Sequence, residues 1–194
     1  MDGQGEPRTN ERRKAAALTF LAATLAWAAW AAWAAPAQAA PRQTPSGQPV
    51  PRYVSLKFDK VYARAGPGED HRLLWVYEAK GLPVQVIAEN IEWRRICDPD
   101  GGVAWIHRRL TSGEATVMRV KTTRLALHKK PRAEAEIVAY LNPRSIAELV
   151  KDCEKGWCKV RGEGVSGWAP AGELWGVSPA IQCKVGGASR PRSR

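Results

Sequence analysis

The sequence predicts an all-β protein: two small β-barrels in tandem, preceded by an N-terminal signal or anchor segment. Three observations predict it. Residue types recur at a near-constant offset of 63 or 64 positions. Short segments alternate apolar and polar residues between Gly- and Pro-containing turns. A basic head near the N-terminus leads into an uncharged run of 21 residues, 15–35.

The N-terminal segment reads as an address. Arg12, Arg13 and Lys14 precede AAALTFLAATLAWAAWAAWAA (15–35), and Ala37-Gln38-Ala39 supplies the small-x-small pattern for cleavage before Ala40. Basic head, apolar middle and small-residue exit make residues 1–39 a secretory signal peptide. The run is also just long enough to span a bilayer, and Trp27, Trp30 and Trp33 fall on one side of a helix. An uncleaved inner-membrane anchor over 15–35 is therefore the alternative. Either way the body of the chain is expected outside the cytoplasm, most simply in the periplasm. Residues 40–52, APRQTPSGQPVPR, are Pro-rich and polar and read as a linker.

The repeat sets the domains. Val61 aligns with Leu125, Pro67 with Pro131, Tyr77 with Tyr140, Trp93 with Trp157, Trp105 with Trp168 and Leu110 with Leu174. The units are placed at 53–112 and 116–177, joined through Ser112-Gly113-Glu114. In the first, LPVQVIA (82–88) and EWRRIC (92–97) alternate as half-buried strands do, and DPDGG (98–102) is a turn before VAWIH (103–107). The second repeats the pattern as SIAELV (145–150), WCKVR (157–161), GEG (162–164) and SGWA (166–169). Strands this short leave exposed edges unless the sheet closes, so each unit is expected to be a small barrel. Residues 178–194, ending Arg190-Pro191-Arg192-Ser193-Arg194, are expected to be a disordered basic tail.

These residues resemble a known family. VYARAGPG (61–68) is similar to the opening motif of bacterial Src-homology-3-like domains, with Tyr62 where Asn is common. GLPV (81–84) resembles the start of their next strand, and WRRI (93–96) followed by GVAWI (102–106) resembles their paired Trp signature. The second unit keeps GWCKV (156–160) and Gly167-Trp168, but LALHKKPR (125–132) has lost the Gly-Pro-Gly. The resemblance covers about residues 53–175. It implies an envelope binding or scaffolding module whose partner is a cell-wall peptide or glycan, or an envelope protein. A structural accessory protein without a ligand site is the second reading.

Four cysteines in an exported chain argue for disulfides. Cys153 and Cys158 bracket a tight connection between two strands, a spacing that suits a cross-strand bond. Cys97 with Cys183 is the remaining pair and would pin the tail to the first barrel. The repeat places Glu89 and Arg94 where the second unit has Cys153 and Cys158, an opposite-charge pair in place of a bond. No metal site is expected: zinc knuckles want closer Cys spacing, and His71, His107 and His128 are scattered.

The formal charge is +11. Without residues 1–39 the chain keeps 26 basic and 16 acidic residues, so the mature protein is basic. Such a field favours anionic polymers or membrane surfaces, the third reading; nucleic acid is not expected, because export removes that partner. No phosphate loop or nucleophile elbow appears, and Asp98 and Asp100 read as turn formers. The expectation is a non-catalytic protein without a cofactor. Src-homology-3-type barrels take extended peptides on aromatic grooves, so the ligand-binding candidates are Tyr62, Trp75, Tyr77 and Trp93. Trp93 and Trp105 also suit a core, since the repeat keeps both. Lys129, Lys130 and Arg132, with Arg124 and His128 beside them, form the basic surface candidate in the corresponding loop of the second unit.

Overall fold

The computed structural model describes residues 44–183. The expected leader or anchor, the start of the linker and the tail beyond Cys183 lie outside the described residues. Among the described residues no helix is long and apolar enough to cross a membrane.

The described residues are all-β, in two seven-stranded antiparallel sheets. The first holds β1 (Arg52–Leu56), β2 (Val61–Arg64), β3 (Leu73–Tyr77), β4 (Pro83–Glu89), β5 (Trp93–Cys97), β6 (Val103–His107) and β7 (Thr111–Ser112). The second holds β8 (Thr116–Arg119), β9 (Leu125–His128), β10 (Ile137–Leu141), β11 (Ile146–Glu154), β12 (Trp157–Gly162), β13 (Val165–Pro170) and β14 (Leu174–Trp175). Strand order is 3-2-6-5-4-1-7 in one and 10-9-13-12-11-8-14 in the other, the same path element for element. A single 3₁₀ turn, Arg108–Leu110 or Ala171–Glu173, precedes the last strand of each.

Alternation along each strand selects the core. Val61, Ala63, Val84, Val86, Ile96, Ala104 and Ile106 face inward in the first barrel, all essentially without solvent contact. Leu125, Leu127, Val160 and Ala169 do so in the second. The β11–β12 hairpin turns on Lys155 and Gly156, both at positive φ (49° and 80°), the pair of conformations a two-residue turn between twisted strands requires. Cys153 and Cys158 close it with a disulfide, Cα atoms 4.1 Å apart. At the equivalent hairpin Glu89 pairs with Arg94, their side chains in an ion pair at 3.4 Å.

The two barrels share buried surface. Met118 of β8 and Trp175 of β14 belong to the second sheet yet pack into the first core. The Trp175 indole N–H donates to the Pro83 carbonyl at 3.0 Å, and its ring meets Tyr53 edge-on at 5.8 Å. Burial pushes the Tyr53 hydroxyl up to about 12. Thr116 donates to the Gly81 carbonyl at 2.7 Å and lies 2.6 Å from the Ser55 hydroxyl. Arg144 grips Asp100 through two hydrogen bonds, at 2.8 and 3.0 Å.

Glu89 also ties down the segment before β1. Its side chain is 2% exposed and accepts from Ser46 and from Arg52 (2.5 Å). Burial works against ionisation, but the hydrogen bonds from Arg52, Ser46 and Thr44 and the charge of Arg52 outweigh it. The carboxyl is lowered from 4.5 to about 2.

Two outcomes are expected. Because the cores share Trp175, far-UV circular dichroism and tryptophan fluorescence should report one coincident urea transition for the whole chain, and Trp175→Ala should cost about 3–5 kcal/mol. Separate transitions would contradict the shared core. The depressed Glu89 pKa gives stability that is complete above the unfolded value of 4.5 and lost as pH falls toward 2. Urea midpoints measured across that window should therefore fall for the native chain and fall less for Glu89→Gln.

Candidate functional site

Each sheet has an inner face on its core and an outer face, and strand register decides which aromatic residue stands on which. In the first barrel Val61 pairs with Tyr77, Tyr62 with Val76 and Ala63 with Trp75. Residues paired across an antiparallel ladder share a face. Trp75 and Tyr77 therefore stand on the inner face with Val61 and Ala63, and Tyr62 stands on the outer face. The register carries that outer face onward: Arg64 pairs with Trp105, Trp105 with Arg95, and His107 with Trp93.

The four sequence-predicted aromatics thus divide two and two, and the grouping of Tyr62 with Trp75 and Tyr77 in one groove is corrected. Tyr77 is 6% exposed; its hydroxyl donates to Asp98 at 3.0 Å. Trp75 is half-buried, edge-on to Tyr77 at 6.1 Å, and packs where a side chain on Gly102 would meet it. Asp98 organises this end of the barrel, accepting also from the backbone N–H groups of Asp100 and Gly102, both at 2.8 Å. Its role is that of a turn former. Trp93, though on the outer face, is 7% exposed, with its ring edge-on to His107 at 5.4 Å. Tyr62 is the predicted aromatic that meets solvent, at 49% exposure.

The Gly-Pro-Gly loop beside Tyr62 is tightly built. The His71 imidazole lies over Gly66, where a Cβ would approach to 2.5 Å, so a larger residue would have to displace that ring. Arg64 donates to the His71 carbonyl at 2.9 Å and Ala65 to the Arg72 carbonyl at 2.9 Å.

In the second barrel Lys129, Lys130 and Arg132 are all exposed. Lys129 pairs with Glu136 at 2.9 Å, which offsets part of the charge of this loop. His128 is not part of that exposed charge: on the outer face with Trp168, it is buried, 2.9 Å from the Ala135 carbonyl and edge-on to Trp157. The sequence reading missed Tyr140. It pairs with Ala126, while Leu141 pairs with Leu125. Tyr140 is therefore the counterpart of Val76, not of Tyr77, and Leu141 replaces Tyr77 in the core. Leu174 is likewise the register counterpart of Thr111, not of Leu110. Tyr140 is 48% exposed on the outer face, with the Arg124 guanidinium 4.7 Å from its ring centroid. The two barrels carry an exposed Tyr at the same cross-strand site, on β2 in one and on β10 in the other.

A profile of the bacterial SH3 domain matches residues 57–113 and 121–176. The chain belongs to the bacterial SH3 domain family. Two copies of that domain account for the duplicated strand order. The solved structures of NlpC1 and NlpC2 from Trichomonas vaginalis are similar to 64% and 69% of this chain, at 14% and 13% identity and a TM-score of 0.30 each. The chain spans 45% and 49% of their lengths. No curated protein matches it. Among the described residues no group of three or more His, Cys, Asp or Glu is arranged to hold a metal ion.

The Tyr77–Asp98 bond separates a core role from a ligand role. Tyr77→Phe should lower stability by about 1.5–3 kcal/mol, as loss of a hydrogen bond to a charged group does, and leave retention on envelope material unchanged. Lost retention at unchanged melting temperature would return Tyr77 to the ligand site.

Proposed function

We propose that this chain is an exported, non-catalytic binding module of the bacterial cell envelope, taking cell-wall peptide or glycan on the outer faces of its two SH3 barrels. The observation that carries the reading is the repeated outer face. Half-buried Trp105 in one barrel, and half-buried Trp157 and Trp168 in the other, share the outer face with an exposed tyrosine. Aromatic side chains on a preformed surface supply contact area at low entropic cost, which suits a binding face better than chemistry. The two disulfides favour an oxidising compartment, in line with the leader read from the sequence. Tyr62 and Tyr140 are the contact residues, and Trp75 and Tyr77 back Tyr62 from the core side of the first barrel.

A charge-driven reading has its own observation. The second unit, 116–177, carries eleven basic and seven acidic residues against nine and eight in the first. One experiment weighs the two. The purified chain is incubated with isolated sacculi at low and high salt, and the retained fraction is measured. Retention should survive high salt. Tyr62→Ala with Tyr140→Ala should cut that resistant part severalfold at near-constant melting temperature, because exposed aromatics contribute more to binding than to folding. Lys129→Glu with Lys130→Glu should reduce only the salt-sensitive part. Retention that vanishes at high salt would leave charge alone, and no retention at either salt would leave the accessory reading.

A further inference from the structure

On β5 the side chains of Trp93, Arg95 and Cys97 stand on the outer face, and register makes Trp157, Lys159 and Arg161 of β12 their counterparts. The end positions are satisfied within the chain in both barrels. Trp93 is edge-on to His107, and Trp157 is edge-on to His128. At the other end the first barrel is covered by its own C-terminal segment. The Gln85 side chain, wholly buried beside Cys97, donates to the Ala180 carbonyl at 2.8 Å and accepts from the Gln182 N–H at 2.9 Å. Cys183 is then bonded to Cys97, with Cα atoms 5.9 Å apart. In the second barrel Arg161 is paired with Glu148 at 3.1 Å.

The middle position differs from both ends. Arg95 and Lys159 are half-buried, and neither makes an ion pair or a side-chain hydrogen bond with another described residue. Each pairs directly across the ladder with a half-buried tryptophan, Arg95 with Trp105 and Lys159 with Trp168. Such partners lie about 5 Å apart at Cβ. The far side of each indole is already assigned. Trp105 also pairs with Arg64, which donates to the His71 carbonyl, and Trp168 with His128, whose ring meets the Ala135 carbonyl. Both of those contacts reach seven residues along the chain and hold the loop that follows the strand. Across β11 the neighbour of Lys159 is Lys151, a like charge that already answers to Glu154 at 2.8 Å. Holding a cation half-buried without a counter-charge costs free energy. Both barrels hold one at the same site, although the position beside it has diverged from Cys97 to Arg161.

We propose that Arg95 with Trp105, and Lys159 with Trp168, are two equivalent carboxylate sites. Each takes a free carboxylate of a cell-wall peptide on its cation and the adjoining apolar group on its indole. What recurs is one cation and one indole, and that pair fits a single carboxylate next to an alkyl group better than it fits a phosphate polymer. A guanidinium matches a carboxylate through two hydrogen bonds and an ammonium holds it as a point charge, so the first site is the stricter of the two. The inference rests on the wall reading and names the group that the face recognises. Tyr62 stands on the same face, two positions before Arg64, and Tyr140 pairs with Ala126, two positions before His128.

The test uses the full chain with both disulfides intact and follows tryptophan indole N–H signals by NMR. The probe is N-acetyl-Ala-Ala with a free C-terminal carboxylate. Its C-terminal amide and inorganic phosphate, at matched ionic strength, are the controls. The acid should shift the Trp105 and Trp168 signals saturably, and the amide should bind at least severalfold more weakly. Arg95→Gln should abolish the Trp105 response and leave that of Trp168, and Lys159→Gln should do the reverse. Arg95→Lys should keep part of the response. Melting temperatures should be nearly unchanged, because neither cation has a partner within the described chain. No response to the acid, an equal response to the amide or to phosphate, or a response that survives its own Gln variant would overturn the proposal. Any of these with salt-resistant retention on sacculi would spare the wall reading. A carboxylate-selective response in a chain that sacculi do not retain would instead overturn the wall as the source of the peptide.

Discussion

The burial of Trp175 is the constraint on which the rest of the molecule depends. A barrel of about sixty residues buries a modest share of its surface and is marginal alone. Trp175 lies in the last strand of the second sheet, yet its ring packs on Tyr53 and joins the buried cluster of the first barrel, and its N–H satisfies the Pro83 carbonyl at 3.0 Å. A large aromatic side chain shared in this way stabilises both sheets through one contact. It also fixes where the chain goes next. Gly176 follows at φ 113° with a backbone so close to Thr116 and Val117 that a Cβ would overlap them, and the segment after it is aimed across β4 and β5. The seat at Gln85 and the Cys97–Cys183 bond follow from that exit.

Much of the architecture was legible in the sequence because it is periodic. Alternation of apolar residues fixed the strands, and the recurrence of Trp93 and Trp105 as Trp157 and Trp168 fixed the duplication. The hairpin bonds were legible too: Glu89 opposite Arg94 stands where Cys153 and Cys158 are joined. What failed was phase. Matching Tyr77 to Tyr140 compared letters, whereas the ladder compares positions, and a slip of one residue moves a side chain to the other face of a sheet. The bulge at Val138 recurs in the first barrel at Leu74, so the true offset through this hairpin stays at 64 and puts Leu141 under Tyr77. An exposed tyrosine was therefore read as a core residue's twin, and a core tyrosine as a ligand contact. Reading Ile137–Leu141 by its pairing with Leu125 would have placed Tyr140 outside. Nothing in the sequence marked Gln85, because a lone amide in a strand carries no signal until the segment it grips is in place.

The duplicated fold separates what the two copies share from what they do not. Inner faces are alike in kind and set by packing. Outer faces differ at one row: Tyr53, Gln85 and Cys97 are covered in one barrel, while Glu148 and Arg161 face solvent in the other. Covering the row removes an uncharged, backbone-reading surface from contact with other chains. Leaving it open is tolerable only with charge on it, since an exposed uncharged edge or face invites nonspecific pairing. The ion pair at Glu148–Arg161 keeps the open row charged and hydrated in the free chain.

The charge of the chain is distributed to the same effect. The first unit is nearly neutral, with nine basic and eight acidic residues, and the second carries the excess. Of the net charge beyond residue 39, half falls outside both units, in the segments before, between and after them. Exposed charges contribute little to a static contact, at most about 1 kcal/mol each, but their summed field acts over a screening length of about 8 Å and raises the rate of encounter with anionic surfaces. Basic flanks on either side of aromatic faces thus divide the work physically. Under the proposed function the flanks would raise the rate of encounter with an anionic surface, and side chains fixed on sheets would decide what is held. Under the proposed function a nearly neutral first barrel would select by fit to Tyr62 and its neighbours instead of by net charge.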